Sequence, residues 1–427
     1  MAENKYLRKV YRRLRELWEY DIFRYALLIQ FFYLILSLIL TLIFLRGMND
    51  FLVYYEVGKV FITDINNLYN RANYLWPFRY LPISAILFVP FYLLGFNLGF
   101  IFFNILNLFL NVLISIFLYK VIIYVRRKDH EEDDKRIILY ISLFLIGLPN
   151  LFNYILGQIN LYVTFLILLS LYLFVTRGNL KSDFLSSFIL GFSILIKPIT
   201  IFMIPFLLIL RIDYKAKKVK FDFVRSLVRI VGVILPISLN LFLFLIYPSL
   251  WDGFLTINFT GDEPIILNHS FSLTKLVLNF FIFFNISINS LLIFLLIIII
   301  IGGLGFLIYI FRKQDDNSIT LAYTFGFLIM LLVYFDSWTH HLLALTPLLI
   351  VLIFCMPRNS EITRKYLKPS FFFLNFFDLA FMGIWFIIQN WFPFNFITTI
   401  FLLIIFYGLS KYTLSKDLNV QLDDPLS

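Results

Sequence analysis

Residues 291–310 read LLIFLLIIIIIGGLGFLIYI. No charge interrupts them, and at about 1.5 Å per helical residue they span ~30 Å, the thickness of a bilayer's hydrocarbon core. Lipid is therefore the solvent for this stretch. The rest of the 427-residue chain agrees, with 61% hydrophobic residues, only 15% charged ones, 54 Phe and 25 Tyr. A soluble domain is roughly half apolar and about a quarter charged. The net charge of +10 comes from bases in short loops between apolar spans, where Lys and Arg set orientation, so no nucleic-acid partner is expected. The single Cys355 lies in an apolar run, which excludes a disulfide framework and leaves the redox compartment unread. The opening MAENKYLRKVYRRLREL lacks the short apolar stretch and small-residue cleavage site of a signal peptide, so the first span is expected to direct insertion.

Outward from residues 291–310, apolar spans run from Leu27 to Leu45, Phe100 to Val125, Ile137 to Leu156, Leu161 to Thr176, Leu227 to Tyr247 and Leu291 to Phe311. Four more lie near residues 319 to 335, 342 to 356, 370 to 388 and 396 to 409. Basic loops separate them: the N-terminus, RRKDHEEDDKR after Val125, Arg177 with Lys181, RIDYKAKKVK from Arg211, Arg312 with Lys313, and RNSEITRKYLK from Arg358. Such loops stay cytoplasmic, and parity then decides two ambiguous segments. Leu81 to Leu94 carries Pro82 and Pro90, and its length of about 14 residues reaches only ~21 Å; it is expected to lie at the outer interface. FLSSFILGFSILIKPITIFMIPFLLIL is broken at Lys197-Pro198 and has basic loops at both ends, which predicts a short hairpin with Lys197 near its outer tip. The expected fold is an all-α integral membrane protein, one polytopic domain over 1–427, with about 12 transmembrane helices. Residues 46–99 form its first outer loop and 411–427 a cytoplasmic tail, with both termini cytoplasmic in the plasma membrane.

This topology collects Asp50, Glu56, Asp64, Asp252, Asp262, Glu263, His269, Asp336, His340 and His341 on the outer side, with Arg46, Lys59, Arg71, Arg79, Lys197 and Lys275. The loop RGMNDFLVYYEVGKVFITDINNLYNRANYLWPFRY, from Arg46 to Tyr80, mixes acids, bases and aromatics. Rings stack on sugar faces while carboxylates and amides bind hydroxyls, although Trp and Tyr also gather at any membrane interface. Each candidate has a plainer alternative. Asp50 can be the first wet residue after a span, and Gln158 and Asn160 in GQIN can merely join two helices. Lys197 can snorkel, yet intramembrane charge costs roughly 2.5–3.5 kcal/mol and is a functional candidate by default. His340 and His341 in SWTHH are adjacent, so they do not easily face one ion, and no Cys or carboxylate cluster completes a ligand spacing. No metal is expected. Gly302, Gly303 and Gly305 sit inside a span, where small residues serve helix packing, and no phosphate-cradling glycine loop is present.

Taken in order, NDFLVYYEVGK, Leu68-Tyr69, YLPISAILFVP, GQIN, ILIKP and SWTHHLLALTPLL, spread from residue 49 to residue 349, resemble glycosyltransferase family 87. Its members are membrane-embedded mannosyltransferases of GT-C architecture that use polyprenol-phosphate mannose. One departure stands out: the family usually has Tyr-Pro-Pro where this chain has Tyr80-Leu81-Pro82, preceded by Arg79. The resemblance implies a GT-C-like bundle with interfacial helices in the first outer loop. It implies hexose transfer from a polyprenyl phosphate sugar to a glycolipid or glycan acceptor, in contact with membrane lipids and with no further cofactor.

Asp50 matches the family's catalytic acid, which would serve as general base in a single inverting displacement. Lys197, Arg79, His340, His341, Gln158 and Asn160 are then expected at the donor phosphate or sugar. Tyr54, Tyr69, Tyr80 and Trp338 are expected to contact acceptor or sugar. The rival readings are a secondary transporter and a non-catalytic membrane subunit. The first is disfavoured because polar residues collect in outer loops, with no internal repeat and no lined midplane. The second leaves no reason for acid, base and aromatics to converge.

Overall fold

The computed structural model describes residues 15–44, 46–214, 217–259, 270–313, 318–378, 380, 383–384 and 396–415. The expectations for Asp262, Glu263 and His269, for the basic stretch before residue 15 and for the tail beyond residue 415 lie outside the described residues. Helix α1 is Asp21–Ile39, extended by a π turn over Leu40–Phe44, and α2 is Asp50–Thr63. A 3-10 segment at Pro82–Phe88 leads into the short α3, Val89–Leu93, and α4 follows over Phe96–Val125. Next come α5 (Asp134–Ile146), α6 (Leu148–Leu156), α7 (Asn160–Thr176) and α8 (Leu180–Ile196), then a 3-10 segment at Pro198–Leu207. After a β-hairpin, the second half comprises α9 (Phe223–Ile246), α10 (Pro248–Phe259), α11 (Leu273–Phe283), α12 (Ser290–Ile297) and α13 (Gly303–Ile310). The chain ends in α14 (Ser318–Val333), a 3-10 turn at Thr339–His341, α15 (Leu342–Cys355), α16 (Lys368–Phe372) and α17 (Phe396–Leu414).

Among the described residues, six helices are long and apolar enough to cross a membrane: Asp21–Phe44, Phe96–Val125, Asp134–Leu156, Phe223–Ile246, Ser290–Ile310 and Ile397–Leu414. Shorter apolar helices, among them Asn160–Thr176, Ser318–Val333 and Thr339–Cys355, pack between them. Lipid offers no hydrophobic drive for helix association, so polar side chains and close backbone approach hold such a bundle. Asn104, Asn107 and Asn111 recur on one buried face of α4. Asn111 Nδ2 donates to Gln30 Oε1 of α1 at 2.7 Å and to Asn150 Oδ1 of α6 at 3.0 Å. Gly191 lets α8 meet α9, since a Cβ there would clash with the Val233 carbonyl oxygen.

The bundle has two unlike ends. At one end α4 begins, with Phe96 5.6 Å from Phe51 of α2, and α6 stops at Leu156. At the other α4 ends and the bases gather: Arg127 N donates to the Phe354 carbonyl at 3.2 Å, and Arg358 reaches Asp133 at 3.4 Å. The segment between Tyr80 and Phe96 leaves and rejoins the first end, because Tyr80 meets Tyr54 of α2 while Phe96 meets Phe51 of the same helix. This agrees with a Leu81–Leu94 segment that does not cross the bundle.

The Lys197 hairpin is also present. Arg229 of α9 binds Asp183 near the start of α8 at 2.8 Å and reaches the carbonyl of Leu207, the last residue of the following 3-10 segment, at 3.4 Å. The two halves therefore return to one end, and Lys197 lies at the opposite tip.

Within this helical bundle the basic loop from Arg211 folds as a short hairpin. It contains an antiparallel pair, β1 (Leu210–Asp213) and β2 (Lys218–Phe221), in register Arg211↔Lys220 and Asp213↔Lys218. Charged and apolar residues alternate in LRID and KVKF, the period of a strand and not of a helix, and Lys220 pairs with Asp213 at 2.6 Å.

Candidate active site

Asn49 caps α2, its Oδ1 accepting from Leu52 N at 3.1 Å. That places Asp50 in the first helical turn, where the helix dipole favours a carboxylate. Phe51 anchors the turn against Phe96, Phe100 and Phe103, with ring centroids 5.1 to 5.6 Å away. Between α6 and α7 the chain must then bring Gln158 onto Asp50, and Gly157 makes this possible. It has φ +64, the left-handed region, and a Cβ there would lie 2.6 Å from Phe51 Cβ. No other residue combines that backbone with that contact at low cost.

Gln158 is the centre of the site. Its Nε2 donates to Asp50 Oδ2 in a short hydrogen bond. Its Oε1 accepts from Tyr54 OH at 3.2 Å and lies 3.5 Å from Lys197 Nζ, which donates to Asn160 Oδ1 at 2.9 Å. Tyr80 OH stands 3.1 Å from Tyr54 OH. Donors on the oxygen side and an acceptor on the nitrogen side fix the orientation of the amide. Lys197 is only 5% exposed, and the oxygens it meets belong to neutral amides.

Burial raises the Asp50 carboxyl above the ordinary carboxylate range, against the opposing pull of the Gln158 hydrogen bond and the Lys197 charge. Burial likewise raises Tyr54 and Tyr80, so both phenols keep their protons. Among the described residues, the hydrogen bond to Asp50 falls on Oδ2, and none falls on Oδ1.

The remaining expected residues divide. Arg79 is close by but already paired, with Asp336 at 2.8 Å. Tyr69 is buried; its OH donates to the Tyr80 carbonyl at 2.6 Å and its ring lies 5.8 Å from Phe78, so it holds Tyr80 in place. The turn Thr339–His341 packs on α6, the helix that leads to Gly157. There Trp338 N–H donates to His341 Nδ1 at 3.2 Å. A ring nitrogen that accepts is unprotonated, so the proton of neutral His341 sits on Nε2. Nε2 is buried without a hydrogen-bond partner among the described residues. The His340 ring centroid lies 4.5 Å from that of His341.

Reading the sequence missed Gly157 as the positioning residue, although its place in GQIN between two apolar runs was visible. It missed Asp336 as the partner of Arg79, which no local signal marks. It also missed Phe88, whose ring stacks on Tyr54 at 4.6 Å.

Acid, oriented amide and buried lysine thus meet at one end of the helical bundle, opposite the basic end, with the histidine turn packed on the helix that leads to them. Comparison with known families matches residues 78–334 to glycosyltransferase family 87. The matched stretch contains Arg79, Tyr80, Gln158, Asn160 and Lys197, and lies between Asp50 on one side and the histidine pair on the other. No curated protein and no solved structure matches. The match spans more than half of the chain, and the protein belongs to glycosyltransferase family 87.

Proposed function

We propose that this membrane glycosyltransferase takes a hexose, mannose by family likeness, from a polyprenyl phosphate sugar and passes it to a glycolipid or glycan hydroxyl on the extracytoplasmic side of the plasma membrane. The observation that carries the proposal is the single amide of Gln158, which joins the Asp50 carboxylate to the neighbourhood of the Lys197 ammonium. An acceptor hydroxyl is a poor nucleophile, and a positioned base that removes its proton during attack contributes typically 10² to 10⁴ in rate. Asp50 has one oxygen engaged by Gln158 and the other available to a hydroxyl. A base whose affinity for the proton is raised by burial also works closer to neutral pH than an ordinary Asp.

Attack at the anomeric carbon expels the polyprenyl phosphate, and negative charge grows on the bridging oxygen. Preorganised positive charge and donors in a dry site stabilise that development. Lys197 suits this role better than Arg79, because Arg79 is neutralised by Asp336 and, among the described residues, the hydrogen-bond partners of Lys197 are amide oxygens. His341 Nε2–H supplies a further donor for the phosphate or sugar, with its tautomer fixed by the backbone. One displacement inverts the anomeric centre, so a β-linked donor gives an α-linked product. Tyr54, Tyr80 and Trp338 form the aromatic wall for the acceptor or sugar.

The test is transfer by the purified protein in lipid nanodiscs from a panel of radiolabelled polyprenyl phosphate sugars and nucleotide sugars, supplied with native membrane extract as acceptor source. Label should move to an extract component from a polyprenyl phosphate hexose alone. Transfer from a nucleotide sugar in the absence of polyprenyl phosphate would reject the proposal.

A further inference from the structure

A second buried acid stands behind the histidine turn. Asp378 interrupts the apolar run FFFLNFFDLAFM and is 4% exposed. An ionisable residue at such a place is costly and calls for a function. No cation meets it among the described residues. Instead its two oxygens accept from two hydroxyls in short hydrogen bonds, Oδ2 from Thr339 and Oδ1 from Thr398. Thr339 directly precedes His340 and His341 and opens their 3-10 turn. Thr398 belongs to the start of α17, and its neighbour Thr399 donates to the Phe271 carbonyl at 2.7 Å. Phe271 N in turn donates to the Ser337 carbonyl at 3.1 Å, and Ser337 N donates to Ser270 Oγ at 3.0 Å. Two successive threonines of the last helix therefore grip both sides of residues 337–339.

We propose that Asp378 is a positioning residue for the reaction: through Thr339 it sets the turn that aligns Trp338 N–H with His341 Nδ1 and so points Nε2–H into the site. The inference rests on the reading of His341 as a donor-binding group. The tie ends on Thr339, the first residue of the turn that carries His341, and not on an apolar neighbour. Phe271 N holds the peptide that carries the Trp338 N–H through the Ser337 carbonyl, whereas Thr339 opens the turn that carries His341. Loss of the Thr339 tie to Asp378 lets the ring shift against this N–H, the contact that selects the His341 tautomer among the described residues. A misplacement of about 1 Å at a reacting group can cost as much as ~10²-fold in rate.

Nitrogen-15 histidine spectroscopy of the full-length protein in lipid nanodiscs tests this without reference to turnover. The His341 signals are assigned by difference from His341→Gln. In the parent, His341 should show one neutral form protonated at Nε2. In Asp378→Ala, and in the near-isosteric Thr339→Val should the first fail to fold, both tautomers should appear. Asp378→Asn keeps one acceptor oxygen and should fall between. Donor kcat/KM should drop roughly 10-fold in Thr339→Val, mostly through kcat, with little further loss when His341→Gln is already present.

An unchanged single His341 tautomer in both Asp378→Ala and Thr339→Val, with lowered Tm as the only effect, would overturn the inference and leave Asp378 as a packing tie. Absence of lipid-phosphate-sugar transfer in the parent would instead defeat the proposed function, while the spectra still judge Asp378.

Discussion

The two ends of α8 carry buried charge in opposite ways. Near its start, Asp183 is 1% exposed and takes two arginines directly, Arg225 Nε at 2.6 Å and Arg229 Nη2 at 2.8 Å. Past its end, Lys197 is nearly as buried, yet the described contacts of its ammonium are the amide oxygens of Asn160 and Gln158, with Asp50 standing beyond the second amide. The first arrangement is saturated: every charge has an opposite charge at contact, and it closes the hairpin against α9. The second keeps acid and base apart, separated by a group that can donate and accept. Charge held close and matched stabilises a fold; charge held close and unmatched is available to a substrate.

The comparison breaks most sharply at Asp50. Asp50→Asn keeps size and polarity but removes the base, and turnover should fall by about 10² or more, while donor affinity and Tm stay near the parent values. Glu56→Gln in the same helix is the control and should be mild, because Glu56 is engaged with Lys59 at 3.2 Å. Since burial raises the Asp50 carboxyl and the base must be ionised to act, the parent's kcat/KM should fall with acid at a pH above that of an ordinary Asp. That limb should vanish in Asp50→Asn. An acid limb that persists unchanged would assign the base elsewhere.

At the saturated end the expected effect is on folding instead. Asp183→Ala strands two guanidinium groups, and breaking a buried pair costs roughly 3–5 kcal/mol, which a drop in Tm should register. Residual folded protein should keep its kcat/KM. A catalytic defect without loss of Tm would contradict the division of labour between the two ends.

Next comes Lys197→Ala. A hydrogen bond to a charged group contributes about 1.5–3 kcal/mol, so donor affinity should weaken by roughly 10- to 100-fold, and Lys197→Arg should retain part of it. An unchanged donor Kd would return Lys197 to snorkelling.

The smallest effect belongs to the surface of the basic end. Glu361 is held down to about 2 by Lys365 and Lys411, at 2.9 and 3.0 Å. A carboxylate with a depressed folded value stabilises above its unfolded value near 4.5 and loses that contribution as pH falls toward 2. Glu361→Gln should thus lower Tm slightly at neutral pH, with the difference shrinking through that acid window and activity unchanged.

Much of this was legible in the sequence where the signal is local. Lys197-Pro198 in a long apolar run announced a broken helix, and basic flanks on both sides announced that its halves return to one end. Asp50 was marked by its place just after the first span, and GQIN by its polarity between apolar runs. What stayed hidden depends on distant partners. Arg79, expected at the donor phosphate or sugar, pairs with Asp336, a residue of the far half of the chain. The hydroxyl of Tyr69, a residue expected to contact acceptor or sugar, donates to the Tyr80 carbonyl, a partner that no local signal marks. The strand pair at Arg211 was masked by its charge, which reads as a loop until the alternation is noticed. Asp378 did carry a visible signal, an acid among phenylalanines, but its meaning waited on Thr339 and Thr398, which only the fold brings to it.

The most direct test of the account is the anomeric configuration of the first product formed by the purified protein from a β-linked polyprenyl phosphate hexose, read by proton NMR. A single displacement assisted by Asp50 predicts an α-linked product in the parent and no product above background in Asp50→Asn on the same timescale. A β-linked product, or an α-linked product formed equally fast by Asp50→Asn, would contradict it.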